Sequence, residues 1–127
     1  MASLYDRLGG SPTITVVVGR YFDRVLADTR LQPYLRGANM NRQRTQQMRF
    51  LSYAMGGTGN CPGGSPAAHF GPLMTDMGMA DEHLDILLDH LRAAFREIGL
   101  PETLTREATE AVAQLQDQFL GRTATQD

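Results

Sequence analysis

The chain has no lysine: all 12 basic residues are arginine, a bias we read as genome composition rather than mechanism. It has one cysteine, Cys61, which excludes an internal disulfide framework and fits a reducing compartment. No apolar run approaches the ~18 residues of a membrane span, and the N-terminus lacks the basic-then-apolar form of a signal peptide. There is no excess of positive charge either. A formal net charge of -2 and a pI near 5.9 give no electrostatic reason to expect nucleic acid. The expectation from these absences is a cytoplasmic protein without a membrane span, monomeric or weakly dimeric.

A chain of 127 residues is the size of one ordinary domain, expected over 1–121, with 122–127 a loose polar tail. Ser3 and Asp6 suggest a capped first turn that Gly9-Gly10 terminates, and Ser11-Pro12 then suits the start of a second helix. Ile14, Val17, Val18, Tyr21, Phe22, Val25 and Leu26 recur at helical spacing despite the β-branched run Thr15 to Val18. Pro33 and Gly37 mark a turn in which Tyr34 and Leu35 point inward. Asp81 to Ile98 and Glu102 to Leu120 read as two further helices. The inward face of the second is Leu104, Ala108, Ala111, Val112, Leu115 and Phe119. The expectation is an all-α fold of about five helices.

Two features break this regular pattern. Met55 to Met79 holds seven of the 13 glycines and three of the six prolines, so it reads as a long irregular segment. It carries His69, with small residues before it and Phe70, Leu73 and Met74 after it; by composition alone that histidine is either a core residue or a ligand. The second feature is the preceding helix, Asn39 to Met55, whose inward stripe is Met40, Gln43, Gln47, Phe50, Leu51 and Ala54. The two glutamines in it are either partly exposed or line a pocket, because a buried amide without partners costs roughly 1–3 kcal/mol. His83 and His90, seven apart, are too distant for one helix to chelate zinc and are expected to be solvated or edge-packed. Cys61 reads as a spectator thiol, and Met55, Met74, Met77 and Met79 as core filler. Arg42, next to the inward face, is within reach of an anionic group at a pocket mouth.

Taken together, Leu4-Tyr5 with Gly9-Gly10, Arg24 to Asp28, Asn39-Met40, Gln43, Gln47, Phe50, Tyr53-Ala54 with Gly56-Gly57, Ala68-His69 and His83 resemble the group I truncated haemoglobins. The resemblance covers Ser3 to about Gly121. It implies a 2-on-2 globin-like helical sandwich with a glycine-rich loop before a short helix bearing the proximal histidine. His69 is then the haem-iron ligand, its other ring N–H held by a carbonyl or similar partner. Gln43 and Gln47, with Tyr21 or Phe22, form the distal side. Leu35, Met40, Arg42, Gln46, Phe50, Leu51, Leu73, Met74, Leu84, Leu87 and Leu91 contact the cofactor, Arg42 at a propionate.

Three departures from the family pattern carry expectations. Tyr21-Phe22 stands where Phe-Tyr is usual, so the distal hydroxyl is either absent or supplied by Tyr21. Losing that donor uncompensated speeds ligand release about tenfold. Leu35 replaces a phenylalanine packed on haem. Gln46 occupies the place of a second iron-binding histidine, which argues against bis-histidine ligation, and the last helix has no histidine, which favours non-covalent haem b. The implied ligands are O2, NO and CO. Oxidation of NO would also require a separate reductase, since the chain has no flavin or nicotinamide motif. The competing expectation is a haem-free all-α interaction module in which His69 is simply packed.

Overall fold

The computed structural model describes residues 2–122. Its order is α1 (Leu4–Leu8), α2 (Gly10–Ala27), α3 (Gln32–Leu35), α4 (Met40–Ala54), a 3-10 turn (Pro62–Gly64), α5 (Pro66–Thr75), α6 (Asp81–Glu97) and α7 (Glu102–Leu120). Helix α2 packs on α4, α6 packs on α7, and the two pairs face one another through α2 on α6 and α4 on α7. Helix α5 rests on α7 and on the 3-10 turn. The expected tail lies outside the described residues except for Arg122, whose guanidinium forks onto Asp85.

Local sequence explains most of these boundaries. Ser3 Oγ accepts from the Asp6 N–H and the Asp6 carboxylate accepts from the Ser3 N–H, closing a capping box at α1. Asn39 Oδ1 accepts from the Arg42 N–H at the start of α4. The start of α2 differs from expectation. The helix begins at Gly10, ahead of Ser11, and its cap is Gly9 at φ 113°, where a side chain would be strained and would meet Thr13 Oγ1. The chain therefore reverses on two glycines, and the serine cap is not used.

The long glycine-rich segment is also more regular than its composition suggests. Its first part is loop, but Pro66 opens a ten-residue helix, α5, that continues through Gly71 and Pro72. Pro66 sits at the first helical position, where its missing N–H costs nothing. Pro72 removes one internal hydrogen bond, yet the Asp76 N–H still reaches the Pro72 carbonyl and Thr75 Oγ1 donates to the Gly71 carbonyl. The turn carrying His69 is thus not cut short.

In α6 the buried residues Leu84, Leu87, Leu91, Ala94 and Phe95 recur at helical spacing on one face. The stripe of α7 is rotated from the expected one: its buried residues are Thr105, Ala108, Thr109, Val112 and Gln116, whereas Leu104, Ala111, Leu115 and Phe119 are only partly buried. This helix has neighbours on several sides; two of its three buried polar residues find local partners, and the Thr105 hydroxyl is buried without one. Thr109 Oγ1 donates to the Thr105 carbonyl at 2.7 Å, and Gln116 Nε2 donates to Asp85 at 2.9 Å. Among the described residues no helix is long and apolar enough to cross a membrane.

Candidate functional site

Helices α4 and α5 bring together the glutamine stripe and the histidine. The His69 ring lies flat on Phe50, with centroids 3.8 Å apart and planes 3° from parallel. Phe70 meets both rings edge-on and stacks in turn on Phe119 of α7. A face stack leaves the nitrogens free at the ring edge, and neither hydrogen-bonds to another described residue. The expected orienting carbonyl is therefore not engaged, and the ring is oriented by packing.

Two narrow adjoining clefts border His69, with cavity volumes of about 20 and 30 Å³. Tyr21, Gln47, His69, Leu73 and Leu87 border both. The first runs between α6 and α7 past Leu84, Leu91, Val112 and Gln116. The second runs under α2 and α4 past Phe22, Leu35, Met40 and Gln43. Tyr21 and Phe22 are both buried and both face this second cleft, so the phenol is present despite the exchanged order.

Tyr21, Gln43 and Gln47 make no side-chain hydrogen bond within the described residues, although Tyr21 and Gln47 are buried. Gln43 is half-buried, and the polar ends of all three border the second cleft, where they are unpartnered and available to a bound group. Burial pushes the Tyr21 phenol well above its ordinary range, keeping it a neutral donor. His69 retains some accessible surface at the clefts but is desolvated enough to lower its imidazole to about 4. At neutral pH it is uncharged and has a lone pair to give.

A pH prediction follows for the haem-free protein. The imidazole titrates near 6.5 when unfolded and near 4 when folded, so below 6.5 the unfolded chain takes up the proton first. Stability conferred by the neutral ring is complete above pH 6.5 and lost as the pH falls towards 4, by roughly 2–3 kcal/mol. Urea titrations across this range should show the loss in wild type and its absence in His69→Leu.

The remaining expected residues are distributed unevenly. Leu51 and Met74 pack in the core without bordering either cleft, and Arg42 is exposed with no salt bridge among the described residues. Gln46 borders a third, outer cleft together with His69. His83 and His90 both lie away from the clefts. His83 Nδ1 accepts from the Ala80 N–H at the start of α6 while its ring packs on Tyr34, and His90 pairs with Asp28 at 2.7 Å. Cys61 is partly buried, and burial raises its thiol pKa. Phe70, Val112 and Gln116 also line the first cleft, although none is among the expected site residues. The spacing of Thr105, Thr109, Val112 and Gln116 on one side of α7 was the available signal, obscured because three of the four are polar.

Two packed helix pairs with a histidine-bearing helix beside the slot place this architecture in the 2/2 globin class. The model of the bacterial-like globin family matches residues 3–120. Among curated relatives, the group 1 truncated haemoglobin of Synechocystis sp. is 35% identical over 107 residues, 84% of this chain and 86% of that one. The one from Mycolicibacterium paratuberculosis is 34% identical over 114 residues, 90% of this chain and 81% of that one. Among solved structures, the 2/2 haemoglobin of a Synechococcus species, in the cyanomet state and with covalently attached haem, superposes with a TM-score of 0.83 at 32% identity, covering 95% of this chain and all of that one. A tyrosine-to-phenylalanine variant of the Tetrahymena pyriformis protein, in its Fe(III) form, gives 0.76 at 26% identity, covering 89% and 93%. The chain belongs to the bacterial-like globins, among the group 1 truncated haemoglobins. Haem as cofactor, and small gases as the ligand class, follow from that membership.

Proposed function

We propose that residues 1–121 form a single domain that holds haem b non-covalently through His69 and reversibly binds O2, with NO and CO as further ligands. The observation that carries this reading is the three unpartnered donors, Tyr21, Gln43 and Gln47, sharing an apolar space with a neutral, unbonded imidazole. Those residues fit haem. His69 would supply a nitrogen ligand, Leu35, Leu73, Leu84, Leu87 and Leu91 would supply apolar walls, and Arg42 would supply a charge for a propionate. Non-covalent attachment is supported by the absence of histidine in α7 and by Cys61, which borders neither of the two clefts.

Haem supplies an iron centre that takes a diatomic gas as ligand. His69 would hold the iron, its ring oriented by the stack on Phe50. Gln47, Tyr21 and Gln43 would offer donors to a bound gas, and the apolar walls would limit water, which would slow oxidation. With O2 and an external electron the same site would convert NO to nitrate (NO + O2 + e⁻ → NO3⁻). The chain has no flavin or nicotinamide motif, so a separate reductase must deliver that electron.

The test is O2 dissociation measured by stopped flow. Each donor is worth about 1–1.5 kcal/mol, so Tyr21→Phe and Gln47→Ala should each release O2 about tenfold faster, and Gln43→Ala by a smaller factor. Unchanged release in all three variants would remove them from the site.

A further inference from the structure

Between Asp28 and Asp76 the sequence has no acidic residue, and it carries Arg30, Arg36, Arg42, Arg44 and Arg49 there. Residues 29–75 therefore hold a formal charge of +5, and the rest of the chain, with seven arginines and 14 acids, holds -7. The positive stretch comprises α3, α4, the glycine-rich loop and α5, the elements around His69. Arg30 is held by Asp28, whereas Arg36, Arg42, Arg44 and Arg49 form no salt bridge among the described residues. Of the seven arginines elsewhere, Arg7, Arg24, Arg92, Arg96 and Arg122 are paired, and Arg20 and Arg106 form no salt bridge among the described residues. Arg36, Arg42 and Arg49 are exposed, and Arg44 lies over the Phe22 ring at 5.2 Å.

The same face is open. A cleft of about 460 Å³ between α4 and the 3-10 turn is bordered by Gln46 and Arg49, with Ala68 and His69 also lining it. It continues past Arg49, Pro62 and Gly63 into a wider trough of about 830 Å³. Gly63 keeps the turn close to α5, since a Cβ there would lie 2.4 Å from that of Ala68. In a protein of net charge -2, the unpaired Arg49 thus borders a cleft with His69, and Arg42, seven residues earlier on α4, shares its side of the helix.

We propose that the side of α4 carrying Arg42 and Arg49, within the positive stretch that also holds Arg36, docks an electron-carrier protein with an acidic surface, which would pass one electron to ferric iron at the cleft beside His69. This rests on the haem reading above and names the partner its NO chemistry lacks. Electron delivery requires close approach to the redox centre, and complementary charge raises the encounter rate and orients it. A haem brings two carboxylates, to which Arg42 is assigned; the exposed Arg36 and Arg49 remain for the partner.

The experiment mixes ferric holoprotein under CO with a reduced [2Fe–2S] ferredoxin of acidic surface, following the haem spectrum. The second-order rate should fall at least tenfold on raising salt to ~0.3 M, as screening shortens the reach of the charges. Arg36→Glu/Arg49→Glu should lower it about tenfold at low salt, and Arg106→Glu on α7 should leave it unchanged. Reduction by dithionite should be the same in all three, which separates docking from damage to the site. Rates insensitive to both salt and the charge reversals would overturn the proposal. So would tighter low-salt binding to duplex DNA or anionic vesicles than to ferredoxin. If the protein takes no haem, visible in its spectrum before mixing, the haem reading fails; calorimetric titration of the chain with ferredoxin still decides whether the face binds an acidic protein.

Discussion

Replacing His69 by glycine should reduce haem affinity by about two orders of magnitude or more, and added imidazole should restore most of it. The expectation exceeds the 10–100-fold loss that follows removal of a group merely supporting a metal ligand, because here the ligand itself is removed. The ring lies on Phe50 and borders both inner clefts, so glycine leaves a space into which free imidazole fits. Haem titration followed at the Soret band, with and without imidazole, measures both effects. The haem-free fold should survive, since His69 makes no hydrogen bond to another described residue and its charged form is disfavoured by burial. Unchanged affinity would assign the histidine to the core.

Phe50→Ala should be the most destabilising single change near the site. Phe50 is fully buried, lies against His69 and meets Phe70 edge-on at 5.2 Å. Truncating such a side chain removes its transfer free energy and leaves a cavity, together about 3–5 kcal/mol. For a chain of this size that is a fall in Tm of roughly 10–20 °C. Phe50→Leu separates the two roles. It keeps most of the volume but loses the ring stack, worth about 0.5–1.5 kcal/mol. The leucine variant should therefore fold well yet hold haem less tightly, because the imidazole orientation is no longer fixed. Thermal unfolding and haem-transfer rates on the two variants distinguish packing from positioning.

The helices that position the site were legible wherever one apolar face repeats at the helical period. The α6 stripe from Leu84 to Phe95 and the α4 stripe of Gln47, Phe50 and Leu51 are buried as their spacing implies. The two glutamines within the α4 stripe were the sequence's strongest pointer to a bound group, since amides in an apolar row require a partner. Proline and glycine obscured α5: their helix-breaking tendency is local, whereas Pro66 opens the helix and Pro72 is tolerated within it. Polarity obscured α7, where Thr109 satisfies its hydroxyl on its own backbone and Gln116 reaches Asp85. The pairing of His90 with Asp28 joins residues 62 apart, which no local pattern encodes. Whether Tyr21 or Phe22 faces the cleft could not be read from the sequence either. The two are adjacent on the helix and both are buried, with rings 5.0 Å apart and nearly perpendicular.

Iron held by the His69 imidazole, in a slot with Tyr21, Gln43 and Gln47 among its walls, is tested most directly by resonance Raman spectroscopy of the ferrous, ligand-free holoprotein. The expected result is an iron–imidazole stretching band in the wild type that is absent from His69→Gly and returns when imidazole is added. A wild-type spectrum without that band, or a band that persists in His69→Gly without imidazole, would contradict it.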